Sequence, residues 1–401
     1  MALAVVQRIL LILILLSETR IVLFQVLTWY YFSRYDRRYP SCRYTPRVSI
    51  IKPVRGIDQL ACDNFRSFCE QNYPNTYEII FCVEECTDPS VPIIQRLIAA
   101  YPDRHVQLVF SDPHDTRSFG KVKNMIAGFA ASRYEVVVFS DSDAHAAPTF
   151  LQDTVACVED PKVGLGYSIP ACEGAEDWVA ALWNISVNEL VTLIVPAYVL
   201  GLWDGAVGTA MVVRREVIAE SGGLEQFGLQ VADDLPLARA IHKRGYVIQL
   251  LKQPVRIFHL HDTLREWWAH WHRWAVVNRH YNPIPFWAAA RMQLVVVAAL
   301  GLPLWWSLVY VTIAWFHGER LLLGVALCIA VLVVRMMSTA VINLKFVQDA
   351  KLWRFLWVVP IMDFLMLPLL IYTSLTDKVV WRGRKLRVHR DCTVTYLHPS
   401  L

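Results

Sequence analysis

Two kinds of apolar pattern follow one another along the chain, and they predict different surroundings. Over 9–32 apolar residues run almost unbroken for 24 positions; at 1.5 Å per helical residue this is enough to cross ~30 Å of hydrocarbon. Comparable runs cover 292–316 and 321–344, joined by the short turn His317-Gly318-Glu319-Arg320. A third run, 353–375, carries Pro360, Asp363 and Pro368. Between 45 and 260 the pattern changes. Short β-branched runs predict buried strands over 48–51, 79–83, 106–110 and 136–139, and helical periodicity predicts helices over 60–71, 92–101 and 121–132. Strands alternating with crossover helices imply an α/β domain with a mostly parallel sheet covered on both faces.

The resulting organisation is an N-terminal anchor helix over 1–34 and an α/β domain over 45–263. An amphipathic, aromatic interfacial region over 264–287 follows, then membrane helices over 288–376 and a basic tail over 377–401. Glu18 and Arg20 interrupt the anchor; standing two apart they do not face each other on a helix, so they are expected to face protein or to snorkel. No small-x-small cleavage site follows 9–16, which argues against a cleaved signal. Arg34, Arg37, Arg38 and Arg43 flank the anchor, and the positive-inside rule then places the α/β domain in the cytosol. Lys378, Arg382, Arg384, Lys385, Arg387 and Arg390 place the tail on the same side, whereas three full spans would return it to the other. The proline-broken run 353–375 is therefore expected to be re-entrant or interfacial. The stretch 185–202, with Glu189 and Pro196, reads as one long helix pressed on the membrane surface.

Composition agrees with that division. The chain is 55% hydrophobic and only 18% charged, with a mean hydropathy of +0.35, which excludes a wholly soluble, disordered or disulfide-scaffold protein. A net charge of +4, without a basic tract interleaved with aromatics, gives no support for nucleic-acid binding. The nine cysteines form no CxxC pair and no metal spacing, as expected of free thiols in a reducing compartment. The sequon Asn184-Ile185-Ser186 in a cytosolic domain is a chance match.

Candidate chemistry gathers where the strands end, which is where ligands bind in open α/β sheets. Neither a GxGxxG after the first strand nor a P-loop is present, so dinucleotide and P-loop chemistry lack support. Instead Asp141-Ser142-Asp143 follows the fourth strand, and two carboxylates one residue apart can hold a divalent cation that neutralises a diphosphate. Glu84, Glu85 and Asp88 end the second strand, where a base and ribose would sit. Gly120 and Lys121 through Asn124 open the next helix and can meet phosphate charge. After the glycine-rich stretch 221–228 come Asp233, read as a helix N-cap, and Asp234, a candidate general base. A helix over 265–280 carries Trp267, Trp271 and Trp274 as one stripe, with His270 and Arg273 beside it; Trp267 and Trp268 read as a membrane-interface belt. His259 and His261 alternate on a late strand as one wall of a cleft facing the acceptor.

With these residues in place the chain resembles the ceramide glucosyltransferase family of membrane-bound, inverting GT-A glycosyltransferases, over about 48–274. The resemblance rests on the opening from Val48 through Lys52 and Pro53 to Gly56, on Asn72-Tyr73-Pro74, and on Lys121 with Asn124. It rests also on Asp141, the glycine loop from Gly205 to Gly208, Asp234, and the ending Trp381-Arg382-Gly383-Arg384. Two positions depart from the family pattern: Glu85 stands where the first aspartate is expected, and His270 leads the signature that ends in Arg273-Trp274. The resemblance implies a UDP-sugar donor met by Lys52, Pro53, Gly56, Glu84, Glu85, Lys121, Asn124 and Asp141. It implies Mg²⁺ or Mn²⁺ on Asp141 and Asp143, and an acceptor side formed by Gly205, Gly208, Asp233 and Trp271. Catalytic roles fall to Asp234, His270, Arg273 and Trp274. The implied reaction is inverting transfer of glucose to ceramide at the cytosolic face of a bacterial inner membrane or a eukaryotic Golgi or ER membrane. The alternatives are N-acetylglucosaminyl transfer to a hopanoid-type lipid, a processive polysaccharide synthase (for which the C-terminal segments look too few), and a catalytically inactive membrane scaffold.

Overall fold

A computed structural model describes residues 2–34, 44–112, 114–115, 117–281, 302–318 and 320–397. The chain divides into two compact units, one made of Tyr30–Cys172 and Ala197–Phe258, the other of Met1–Trp29, Glu173–Pro196 and His259–Leu401.

The first unit is built on ten strands: β1 (Val48–Val54), β2 (Tyr77–Val83), β3 (His105–Phe110), β4 (Val136–Ser140), β5 (Ala144–His145), β6 (Val163–Ser168), β7 (Pro170–Glu173), β8 (Ala210–Arg214), β9 (Val247–Leu250) and β10 (Val255–Phe258). Seven of them form one sheet in the order β3-β2-β1-β4-β8-β6-β9. The run β3-β2-β1-β4 is parallel, β8 is antiparallel to both neighbours, and β6 pairs with β9 in parallel. Every residue of β1 and β2 is buried, as an apolar run without alternation requires of a sheet covered on both faces. The helices Ala61–Cys69, Val91–Ala100 and Gly120–Ala131 lie within two residues of their expected positions. Phe65 and Phe68 of the first pack with Ile50 and Phe81 of the strands in the main core.

A second, three-stranded sheet, β5-β10-β7, is not legible in the sequence, because strands of two to four residues carry too little periodicity. It corrects one expectation: β10 ends at Phe258, so His259 and His261 lie beyond the strand rather than on it.

In the second unit long apolar helices dominate. Among the described residues of the chain, four stretches are long and apolar enough to cross a membrane: Leu3–Arg34, Trp178–Val199, Leu321–Val347 and Val358–Leu375. Of the expected run 292–316, residues 292–301 lie outside the described residues, and the rest falls in the helix Pro303–His317. The arginine-rich flank beyond Arg34 also lies outside them, as do 282–287. The run 353–375 is a 3-10 turn, Leu352–Phe355, followed by the helix Val358–Leu375, with Pro360 in its first turn and Pro368 inside. Residues 185–202 do not form one helix: Trp178–Asn188 and Val191–Val199 are separated by a turn at Glu189 and Leu190. Trp267 is no interface anchor. It is fully buried among Leu182, Ile185, Val358 and Val359, because a wide apolar surface gains more from a packed core than from a headgroup layer.

The basic tail is itself folded, into an antiparallel sheet of β11 (Lys378–Trp381), β12 (Arg384–Val388) and β13 (Val394–Tyr396). Trp381-Arg382-Gly383-Arg384 is its first hairpin. Both central residues have positive φ (47° and 78°), the geometry of a two-residue turn that matches strand twist and calls for glycine.

Candidate active site

The carboxyl ends of β1 and β4 position the Asp141-Ser142-Asp143 turn. Lys52, expected among the nucleotide contacts, is fully buried instead, and works from below. Its Nζ donates to the Asp141 carbonyl (2.7 Å) and to Ser140 Oγ (3.4 Å), and lies 3.6 Å from the centre of the Phe68 ring. Burial pulls this ammonium down to about 7, against the opposing pull of Asp143 and Asp141. Two further bonds pin the turn: Ser142 Oγ donates to Asp58 Oδ2 (2.5 Å), and Asp141 N–H donates to the Thr209 carbonyl (3.0 Å). Sequence reasoning missed Asp58; its one signal was its place just past the end of β1.

Above the turn a lysine bridges two carboxylates. Lys121, in the first turn of Gly120–Ala131, places Nζ 2.6 Å from Asp141 Oδ1 and 2.7 Å from Asp233 Oδ2, and donates to the Gly208 carbonyl at 3.3 Å. Burial acts against its charge, yet Asp141 and Asp233 hold its pKa above the ordinary lysine range. Asp233 does sit just ahead of the helix Asp234–Lys243, but its side chain does not cap that helix. The ammonium of Lys121 is the stronger partner for a buried carboxylate. Asp234 accepts from Gly208 N–H at Oδ2 (2.8 Å) and from Leu235 N–H at Oδ1 (2.7 Å). Burial, reinforced by the charge of Asp233, pushes Asp234 up to about 6, while Lys121 pulls the other way.

Gly208 allows this closeness. A Cβ there would stand 3.1 Å from Lys121 Nζ, 3.2 Å from Asp234 Oδ2 and 3.3 Å from Asp233 Oδ2. Gly208→Ala is therefore expected to displace these groups by tenths of an ångström and to lower turnover roughly ten-fold, less than the ~10²-fold that a 1 Å misplacement can cost. Steady-state kinetics on the folded variant checks this, and unchanged kcat would mean the cluster need not be so tight. Gly205 is crowded for a structural reason, since a Cβ would lie 2.5 Å from Leu235 Cδ2.

The expected nucleotide contacts divide into two sets. Glu84, paired with Arg55 at 3.2 Å, is half-buried, and Glu85 is exposed. Gly56, at a φ of 72°, donates its N–H to Asp88 Oδ2 (2.8 Å) and so fixes the loop leaving β1. Pro53 and Asn124 are interior. Pro53 lies within β1 beyond its last pair with β4, and Asn124 donates to the Val54 carbonyl (3.3 Å) while accepting from Ser111 Oγ (2.9 Å). Lys52, Pro53 and Asn124 thus shape the strand ends from inside, because both faces of this sheet are closed by helices.

Among the described residues no three His, Cys, Asp or Glu side chains are grouped to hold a metal ion. Asp141 and Asp143 still offer the donor set of a Mg²⁺ or Mn²⁺ that brings its own phosphate and water ligands: one or two carboxylate oxygens, hard in character. Lys121 occupies Asp141 Oδ1, and Oδ2 is the oxygen that Lys121 leaves to a cation.

His270, Arg273, Trp274 and Trp271 belong to the second unit, on the helix Leu264–Tyr281, and form a cluster internal to it. Arg273 Nη2 donates to His270 Nδ1 at 3.5 Å and the guanidinium lies 5.2 Å from the Trp381 ring centre. His270 packs at 4.1 Å from Trp183 and 4.3 Å from Trp274. Burial, and next the charge of Arg273, hold His270 well below its usual range. Trp271 turns its indole N–H to Ser186 Oγ (2.9 Å). Trp183 is a member that the sequence did not assign, and it stacks on His259, expected in a cleft wall, at 4.5 Å and 11°; His259 Nε2 is 2.8 Å from Asp262 Oδ2. His261 is bound to Asp177 at 3.0 Å.

A mixed α/β sheet carrying an Asp-x-Asp turn and a lysine–carboxylate cluster at its strand ends, in a chain with helices long and apolar enough to cross a membrane, has the layout of a GT-A glycosyltransferase. The chain belongs to glycosyltransferase family 21: the sequence profile of Glycosyl transferase family 21 matches residues 10–394. It is similar to ceramide glucosyltransferase 1 of Caenorhabditis elegans, 28% identical over 204 residues that make up 50% of this chain and 43% of the relative. It is also similar to the ceramide glucosyltransferase of Candida albicans, 38% identical over 119 residues, 27% of this chain and 22% of the relative. These matches span less than half the length of the curated relatives. Among solved structures, it is similar to the mannosyltransferase PcManGT of Pyrobaculum calidifontis in complex with GDP-Man and Mn²⁺, with 17% identity and a TM-score of 0.45 over 91% of this chain and 99% of that one. It is similar too to glucosyl-3-phosphoglycerate synthase of Mycobacterium tuberculosis, with 18% identity and a TM-score of 0.39 over 60% of this chain and 82% of that one.

Proposed function

We propose that the protein transfers glucose from UDP-glucose to the hydroxyl of ceramide, with inversion, giving β-glucosylceramide. The observation that carries this is the placement of Asp234, a carboxylate with a raised pKa, beside Asp233, Lys121 and Gly208 at the carboxyl edge of the sheet. Asp234 takes the proton of the acceptor hydroxyl. The oxygen of the acceptor hydroxyl forms a bond to the anomeric carbon as the bond from that carbon to the UDP oxygen breaks. Attack on the face opposite UDP turns an α-linked donor into a β-glycoside. Lys121, already held by two carboxylates, exchanges one of them for phosphate charge. Asp143 with Asp141 would hold the Mg²⁺ or Mn²⁺, which when bound neutralises diphosphate charge. The leaving-group role that the resemblance gives Arg273, and the acceptor contact it gives Trp274, are carried forward as part of this proposal. The apolar helices hold the chain in a bilayer, with the α/β unit on the cytosolic side.

Mass spectrometry of lipids from cells with and without the chain, combined with UDP release from a panel of UDP-sugars, tests the proposal. Gain of hexosylceramide supports it; a hexosaminyl hopanoid, or no UDP release with any donor, would overturn it.

A general base works deprotonated, so kcat/KM should rise with pH through about 6 and level off above it. Asp233→Asn removes one of the charges that raise Asp234, and the acid limb should move to lower pH. A limb that stays in place would separate it from Asp234.

A further inference from the structure

The sheet at the C-terminal end presents a face that its own strands do not neutralise. Lys378 of β11 stands directly opposite Arg387 of β12, and Val380 opposite Lys385. Arg387 in turn faces Thr395 of β13. All five side chains are exposed, while the other face buries Val379, Leu386, Val388 and Val394. Like charges directly across a strand pair destabilise it, and here a third cation, Lys385, lies on the same face. Among the described residues no carboxylate relieves them. Asp377 is taken by Arg279 and by His280 (3.1 Å), and Asp391 accepts from Thr393 N–H (3.1 Å) and Oγ1 (2.7 Å).

We infer that this face docks on the anionic headgroups of the membrane in which the chain sits. Three observations select that partner. The sheet begins three residues after the apolar helix Val358–Leu375, which ends in an exposed Leu375. The cations lie on one flat face rather than around a pocket, so they match a charged plane. Exposed Val380 sits between them, suited to the boundary between headgroup and acyl chain. Each basic side chain near an anionic surface strengthens attachment about five-fold, so three give at most roughly 10²-fold. The negative charge of the membrane replaces the missing cross-strand partners, and the sheet becomes a foot that fixes the end of the last helix at the bilayer surface.

This rests on the proposal that the apolar helices are embedded in a bilayer, and co-elution of the full chain with lipid nanodiscs tests that point separately. The docking itself is read by hydrogen exchange of peptides spanning 378–396, in discs of phosphatidylcholine alone and of phosphatidylcholine mixed with phosphatidylglycerol. Exchange is expected to slow roughly ten-fold or more in the anionic discs, within the bound set by three charges, and raised salt should abolish the difference. The combined variant Lys378→Gln, Lys385→Gln and Arg387→Gln should exchange alike in both discs, while exposed Arg96→Gln in the other unit retains the difference. Equal exchange of the unaltered chain in the two discs would overturn the inference, as would equal protection by inorganic phosphate in neutral discs. A lipid dependence that survives in the combined variant would overturn it as well.

Discussion

Asp234→Asn is expected to lower turnover by about 10²–10⁴-fold, the usual contribution of a positioned general base, while UDP affinity stays nearly unchanged. The carboxylate accepts two backbone N–H groups, from Gly208 and Leu235, at its two oxygens. An amide offers a single oxygen, so the variant also turns an NH₂ group toward one of those donors. Part of the loss therefore comes from a shift of the side chain, and Asp234→Glu separates the two effects. It keeps a base but carries it one methylene further, so it should retain more activity than the amide. The acid limb near 6 should vanish in Asp234→Asn and persist in Asp234→Glu. Single-turnover UDP release and calorimetric UDP binding make the comparison. Turnover within a few-fold of the unaltered chain would remove Asp234 from the base role.

How far the site could be read in advance depended on what each residue signals. Asp141 and Asp234 were legible as candidates because a carboxylate at a strand or helix end is rarely there for packing; Asp233, read as an N-cap, instead joins Asp141 on Lys121. Lys52 was legible only through the family resemblance, and Asn124 through it and through its place at a helix start; neither signal gave the direction of the side chain. Period-2 alternation assigns a face, yet a long side chain can run beneath the sheet to a neighbouring strand, as Lys52 does to the Asp141 carbonyl. Asp58 and Trp183 act through contacts distant in sequence, with Ser142 and His270 respectively, and His259 stacks on the equally distant Trp183; no local pattern announces such pairs.

The fold divides in the same way. Strands β1 to β4 and their helices follow from continuous β-branched runs and helical periodicity. The two-residue β5 does not, and neither does the antiparallel insertion of β8 between β4 and β6. The tail was read by charge alone, although Val379, Leu386, Val388 and Val394 already alternate with the cations at strand period. Trp267 shows the reverse error, since an aromatic stripe beside membrane helices suggests an interface whether it is buried or not. Its neighbours Leu182 and Val359 decide the matter.

Arg335→Met is expected to destabilise the second unit by about 3–5 kcal/mol, the cost of leaving a buried ion pair with one partner. Arg335 lies in the helix Leu321–Ile342 and is nearly buried. It makes a two-pronged contact with Asp363 of Val358–Leu375, Nε to Oδ2 at 2.8 Å and Nη2 to Oδ1 at 2.7 Å. The same Nη2 reaches Glu189 Oε2 at 2.9 Å, and Thr339 Oγ1 donates to Glu189 Oε1 at 2.9 Å. One guanidinium thus ties together two long apolar helices and the turn that follows Trp178–Asn188. It also explains how Asp363 is tolerated in the middle of an apolar run, a residue that on sequence alone counted against a straight span. Arg335→Lys keeps the charge but loses the planar fork, so it should fall between the unaltered chain and the methionine variant. Combining Arg335→Met with Asp363→Leu and Glu189→Gln removes the stranded carboxylates and should recover most of the loss, since well-packed apolar replacements of buried ion pairs are often neutral. Thermal unfolding of the purified full chain in detergent, followed by tryptophan fluorescence, measures all three. If Arg335→Met stays within about 0.5 kcal/mol of the unaltered chain, the range of ordinary surface changes, the triad does not hold these helices together.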